Sequence, residues 1–281
     1  TASGYFTGET AAANAQRFTA DEGVSVFHDS GKLFYGVSQC VCGGTNPEHH
    51  TCKNVPFRPW RYATSLPGSG NWYLTTDVKA TSQRGFSSAV TAALDLNGHN
   101  VTTANGNRSH MLNNKNASLT LLDSKGGARI TLGKDSKDEG ALIHINQGTL
   151  NIYGGTISGN GYSTSHKSGG LVRIVKGANL NMYGGSIENG KANAGGNIYL
   201  SGTMNLYGGT VKNGEILATS TTSYGGNIYM GSYAVLNMYG GTISGGKSGR
   251  GGGNISGETR NVNGKVVGGA VVNMYDGTIE K

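Results

Sequence analysis

Asn181-Met182-Tyr183-Gly184-Gly185-Ser186-Ile187 decides the fold, because the chain writes this heptapeptide five times. The copies begin at Asn151, Asn181, Asn205, Asn237 and Asn273 and read NIYGGTI, NMYGGSI, NLYGGTV, NMYGGTI and NMYDGTI. Their tyrosines, Tyr153, Tyr183, Tyr207, Tyr239 and Tyr275, are 30, 24, 32 and 36 residues apart. Self-similarity at such periods is the signature of a solenoid. A second motif precedes each copy: GALIHI from Gly140, GGLVRI from Gly169, GGNIYL from Gly195, GGNIYM from Gly225 and GGNIS from Gly252.

Each coil therefore reads as a strand, a second strand, a Gly-Gly corner and a third short strand, with polar loops of variable length between coils. A strict hexapeptide period is missing, which argues against a left-handed β-helix. No helical segment lies between the strands, which excludes leucine-rich repeats. The pattern predicts an all-β, right-handed parallel β-helix.

Alternation of side chains along a strand assigns the faces. In Leu150-Asn151-Ile152-Tyr153, Leu150 and Ile152 point one way and Asn151 and Tyr153 the other. The columns Ile152/Met182/Leu206/Met238/Met274 and Ile157/Ile187/Val211/Ile243/Ile279 are apolar and read as the interior. Asn151, Asn181, Asn205, Asn237 and Asn273 read as one outward ladder, and the five tyrosines as another, with rungs about 4.8 Å apart. Such ladders are expected to hold the coils together, amide on amide and ring on ring.

Upstream, Tyr73–Val78, Ala93–His99, Ser118–Asp123 and Ala128–Leu132 read as the first, less regular coils. The expected division is a cap over 1–39, a Cys/His segment with linker over 40–70, and the β-helix over 71–281. Within the cap, Thr10–Ala20 suits a short helix. Gly23–Phe27 and Lys32–Val37 suit a hairpin around Asp29-Ser30-Gly31.

The 281 residues include 49 Gly, 4 Pro and 14 Tyr. Glycine with so little proline, beside many tyrosines and β-branched residues, marks turns between strands and not disorder. The net charge of +7 is spread along the chain with no run of Lys or Arg, so no nucleic-acid partner is expected. No apolar run approaches the roughly 18–20 residues of a membrane span. The chain opens with Thr and no apolar signal segment, which suits a mature or excised fragment. It closes at Thr278–Lys281 on a regular strand, the form expected of a β-helix cut from a longer one or stacking on another copy of itself.

The three cysteines fall in Cys40-Val-Cys42-Gly-Gly-Thr-Asn-Pro-Glu-His49-His50-Thr-Cys52. Cys40, Cys42 and Cys52 with His50 make a Cys₃His set, the closed form of a structural zinc site, with His49 in reserve. The other reading is one disulfide from Cys40 or Cys42 to Cys52, leaving a spare thiol.

The order CVCGG…HHTC…FRPW, TSLPGSGNWYLTTDV, LDLNGHNV, LTLLDSKG and then repeated NMYGGTISG resembles the large β-helical surface proteins of gut Firmicutes. The resemblance covers residues 40–281. It implies a pectate-lyase-like fold, an extracellular or cell-surface bacterial location, and a module that is often one piece of a longer protein. Gln39 stands where that family usually carries a further histidine.

Three functions are weighed. A non-catalytic surface module for adhesion, matrix or filament assembly would meet a glycan or matrix component. Tyr199, Tyr229, Arg173 and His144 are the candidate glycan-binding residues, with His144 and Arg173 in one outward column. The alternative is a polysaccharide lyase or glycosidase. From Gly140 onward the acids are Glu188, Glu215, Glu258, Asp276 and Glu280. Glu188 and Glu280 share a column but lie three coils apart, about 14 Å by strand spacing. That is too far for a glycosidase pair, so no catalytic residue is assigned. Ice binding on Thr156, Ser186, Thr210, Thr242 and Thr278 is set aside, because the outward column beside it, Ser158/Glu188/Lys212/Ser244/Glu280, is charged and irregular.

Overall fold

A computed structural model describes residues 4–6, 24–29, 32–39, 55–60, 68–81, 84–103, 110–133, 141–159, 169–217, 224–249, 251–263 and 265–281. Among these no helix occurs, and 20 strands join in one continuous, largely parallel sheet that winds as a β-helix. The all-β solenoid expected from the repeats is the observed fold. Parallel strand–connection–strand units overwhelmingly wind right-handed, because that is how twisted strands pack back on their neighbours.

Three faces run along the solenoid. The first is built from 84–86, 110–112, 143–145, Val172–Ile174, Ile198–Leu200, Ile228–Met230 and Ile255–Gly257, each paired in parallel with the next. The second runs from Arg58–Trp60 through Gly70–Leu74 and Thr91–Asp95 to 118–122, 149–152, Ala178–Met182, Thr203–Leu206, 235–238 and 271–274. Its parallel pairing thus begins at Arg58, upstream of residue 71. The third carries Val78–Ala80, Val101–Thr103, Arg129–Leu132, Thr156–Ser158, Ser186–Glu188, Thr210–Lys212, 242–244 and 278–280.

The apolar columns are inside. Ile152, Met182, Leu206 and Met238 are fully buried, as are Ile157, Ile187, Val211 and Ile243, and they belong to one contiguous core. In the last coil the same columns open outward, with Met274 50% and Ile279 39% exposed. No single coil could bury these side chains alone; each supplies half of its neighbour's contact.

Both glycines of the Tyr-Gly-Gly corner have a steric reason. A Cβ on the first would lie 2.6 Å from the Tyr153 carbonyl oxygen at Gly184 and 2.6 Å from that of Tyr183 at Gly208. The second adopts φ of 76° at Gly185 and 82° at Gly209, a left-handed conformation that costs a residue with a Cβ. From this corner the third face starts in strict phase: Met182 to Ser186, Leu206 to Thr210 and Met238 to Thr242 have the same separation. The returns from third face to first differ in length, from Glu188 to Ile198, Lys212 to Ile228 and Ser244 to Ile255.

The outward asparagines form an amide ladder. Asn181 Nδ2 donates to Asn151 Oδ1 at 3.0 Å, Asn205 to Asn181 at 2.9 Å, Asn237 to Asn205 at 2.8 Å and Asn273 to Asn237 at 2.9 Å. Beside it the tyrosines stack with centroids 4.4, 4.7, 4.9 and 5.0 Å apart and planes within 10° of parallel.

A second asparagine ladder lies inside, and the sequence pattern did not single it out. Asn197 and Asn227, from the GGN motifs, are fully buried. Asn197 Nδ2 donates to Asn227 Oδ1 at 2.7 Å, and Asn227 Nδ2 donates to Asn254 Oδ1 at 2.7 Å. Each side chain also ties down the corner after the third face. Asn197 accepts from the Gly190 amide at 2.8 Å and donates to the Lys212 carbonyl at 2.8 Å. Asn227 accepts from Gly214 at 2.7 Å and donates to Ser244 at 2.7 Å. Gly190 and Gly214 must be glycine here, since a Cβ would meet the carbonyl oxygens of Gly196 and Gly226 at 2.1 and 2.2 Å.

Near the N-terminus a separate antiparallel sheet forms. Val24–Asp29 pairs with Lys32–Gln39 as the expected hairpin, and Gly4–Phe6 and Val55–Pro56 add to Lys32–Gln39. The helix expected over Thr10–Ala20 lies outside the described residues, as do Cys40, Cys42, His49, His50 and Cys52.

Candidate functional site

Face one brings the four candidate glycan-binding residues into a single column. His144 stands opposite Arg173, Arg173 opposite Tyr199, Tyr199 opposite Tyr229, and Tyr229 opposite Ser256. Alternation puts their neighbours, Ile143/Val172/Ile198/Ile228 and Ile145/Ile174/Leu200/Met230, into the core and this column on the other side of the sheet, where both ring nitrogens of His144 and the Nε of Arg173 are nonetheless buried. The Arg173 guanidinium carbon lies 5.5 Å from the centre of the Tyr199 ring, within cation–π range. Tyr199 and Tyr229 are 5.2 Å apart but tilted by 35°, so the pair is splayed.

Where this column meets the last coils it opens into a cleft of about 490 Å³ lined by Tyr224, Tyr229, Ser256, Gly257, Glu258 and Thr259. The Tyr229 hydroxyl donates to Glu258 Oε1, and Ser232 Oγ donates to Glu258 Oε2 at 2.9 Å. Partial burial raises the Tyr229 hydroxyl pKa well above its ordinary value, and the Glu258 carboxylate adds to the shift. The phenol therefore stays protonated and acts as a donor. Tyr224 is 38% exposed at the cleft wall, and Tyr233 lies on the same side with Lys176 Nζ 3.9 Å from its ring centre.

The five-tyrosine column is a different kind of surface. Inside the stack, rings in parallel at 4.4–5.0 Å cover one another's faces and present only edges. A sugar that needs an aromatic face can use the splayed pair and Tyr224, not the ladder. The five tyrosines stack one on the next as the repeat pattern predicts.

Two residues of the expected outward column are covered. Ser158 and Glu188, expected to face outward, are 2% and 6% exposed. Glu188 tolerates this because Arg129 Nη1 lies 3.0 Å from Oε1, Lys212 Nζ 3.3 Å from Oε2, and Ser186 Oγ donates to Oε2 at 3.1 Å. Burial pushes the Glu188 pKa up, but the hydrogen bonds from Arg129 and Lys212 outweigh it and the net shift is downward. The ion triad keeps the carboxylate charged while Arg129 and Lys212 cover it.

The cleft on face one has a single carboxylate in its described lining, Glu258. Glycoside hydrolysis by the usual route needs two, about 5–10 Å apart across the bond. Glu188 and Glu280 do share a column, with Lys212 and Ser244 between them. No cluster of three His, Cys, Asp or Glu that could hold a metal occurs among the described residues. The Cys40/Cys42/His50/Cys52 set lies outside them, and its zinc reading rests on the sequence alone. No helix among the described residues is long and apolar enough to cross a membrane.

Tyr224, Ser232 and Glu258 were not singled out from sequence. Tyr224 directly precedes the GGNIYM motif, and Glu258 closes GGNISGE. Position beside a repeated motif, just outside it, was the available signal. No family model, no curated protein and no solved structure matches the chain.

Proposed function

We propose that this chain is a non-catalytic extracellular module of a bacterial cell surface, a β-helical scaffold that holds a glycan on face one. The observation that carries the reading is the cleft where Tyr224 and Tyr229 meet Glu258, whose carboxylate also accepts from Ser232. Aromatic rings offer the apolar faces of a sugar a surface, and a hydrogen-bonded carboxylate beside them takes its hydroxyls. Arg173 extends the same strip toward the N-terminus, so a glycan longer than one unit could reach it along the column, while the ring nitrogens of His144 are buried. The motif order shared with gut Firmicutes surface proteins supports the location.

A glycan-array screen of wild type against Tyr224→Ala/Tyr229→Ala tests it. Binding by wild type that falls at least tenfold in the double variant is expected. Equal binding by both proteins, or none by wild type, sinks the reading.

A further inference from the structure

The corner between the third face and the first carries a separate cleft, of about 580 Å³, with a cationic lining. Its charged walls come from Arg129, Lys191, Glu215 and Lys247. Lys191, Glu215 and Lys247 are successive rungs of one short ladder, since Lys191 pairs with Glu215 and Glu215 bridges to Lys247. The two lysines are thus two rungs apart, about 9.6 Å by strand spacing.

The corner is rigid for the reasons given above. Asn189 and Asn213, both lining residues, hold left-handed turns at φ 60° and 55°. The amides of Gly190 and Gly214 that follow are fixed by the buried asparagines. The charges do not cancel. Glu188 is held by Arg129 and Lys212, and Lys191 Nζ lies 2.8 Å from Glu215 Oε2. Among the described residues, four cations (Arg129, Lys191, Lys212, Lys247) against two carboxylates (Glu188, Glu215) leave two positive charges in and behind a concave wall. A concave wall of one sign concentrates counter-charges from solution.

We infer that this corner binds the acidic groups of an anionic polysaccharide, with Lys247 and Lys191 meeting successive oxyanions and the Asn189 and Asn213 amides taking neighbouring hydroxyls. The cleft shares no lining residue with the tyrosine cleft, so the site stands or falls independently of the glycan reading above.

The test is affinity of the full chain for polygalacturonate (carboxylates), dextran sulfate (sulfates) and neutral dextran, at low and high salt. Wild type is expected to bind at least one of the acidic polymers, more weakly as salt rises, and to ignore neutral dextran. Lys247→Glu should weaken that binding at least tenfold. Glu215→Gln should strengthen it several-fold, a gain that misfolding cannot produce. Lys115→Gln, an exposed charge outside both clefts, should leave it unchanged. Preference for polygalacturonate assigns the oxyanion as a carboxylate, and preference for dextran sulfate as a sulfate. No binding to either polymer overturns the inference. So does binding that ignores both Lys247→Glu and Glu215→Gln, or tighter binding to a DNA duplex than to both polysaccharides.

Discussion

The two asparagine ladders use one residue type for two different tasks. In the outer ladder each amide meets only its neighbours above and below, at the edge of solvent. In the inner ladder each amide also grips the backbone of the corner, accepting from a glycine N–H and donating to a carbonyl. The ladders even run in opposite senses. Outer asparagines donate back toward the preceding coil, and inner ones donate forward to the next. Upstream coils show what the inner ladder replaces. Leu142 and Leu171 hold the equivalent positions, and both are fully buried. The change from leucine to asparagine coincides with the short Asn-Gly corners, whose backbone groups would otherwise be buried without partners. What matters is therefore not that asparagine repeats but what its amide is asked to satisfy.

Replacing an inner asparagine should break this contrast most. Asn227→Leu restores the upstream residue but strands the Gly214 N–H, the Ser244 carbonyl and the amides of Asn197 and Asn254. The expected loss is on the order of 4 kcal/mol, since each buried group left unpaired costs about 1–3 kcal/mol. Denaturant unfolding followed by circular dichroism measures it. A loss under about 1 kcal/mol would mean that the corner relaxes and the inner ladder is dispensable.

The ion triad at Glu188 is a third kind of rung and should rank next. Glu188→Gln leaves Arg129 and Lys212 facing an uncharged amide. Both cations are partly exposed, so the loss should be about 2 kcal/mol, between the values of buried and surface pairs. The Glu188 pKa is held below its ordinary 4.5 in the folded chain. Its contribution is thus complete above that pH and fades as pH falls through the folded value. The stability gap between wild type and Glu188→Gln should accordingly narrow below pH 4.5. A gap that is constant with pH would show that the carboxylate's charge is not what the triad uses.

An outer rung should matter least. Asn205→Ala removes two half-exposed amide contacts, for an expected ~1 kcal/mol. A loss as large as that of Asn227→Leu would erase the distinction between the ladders.

The outer ladder, the tyrosine stack and the core columns were legible because they recur at fixed offsets within a repeated heptapeptide. Period-2 alternation then gave each its side of the sheet. Asn197 and Asn227 escape the same reading because alternation from the inward Ile198 and Ile228 would turn the preceding residue outward, and Leu171 in the same position hides the column. Alternation puts Glu188 on the Ser186 side of its strand but does not foresee its burial, because Arg129 covers it from a coil 59 residues away in sequence. The candidate site divides along the same line. His144, Arg173, Tyr199 and Tyr229 lie on repeated strands, so their shared column followed from register. Tyr224 and Glu258 lie just beyond the repeats, and Lys191, Glu215 and Lys247 on a ladder too short to leave a period.

The phase-keeping corner after each Tyr-Gly-Gly has a consequence for how such a chain can change. Residues gained or lost between the third face and the first alter the outline at one edge but never the reading frame of the columns. Length there is free to drift while the rod stays in step, which makes that edge the natural place to graft a new loop. The cationic cleft lies on this same edge, so what the molecule grips can be rewritten without rewriting what keeps it upright.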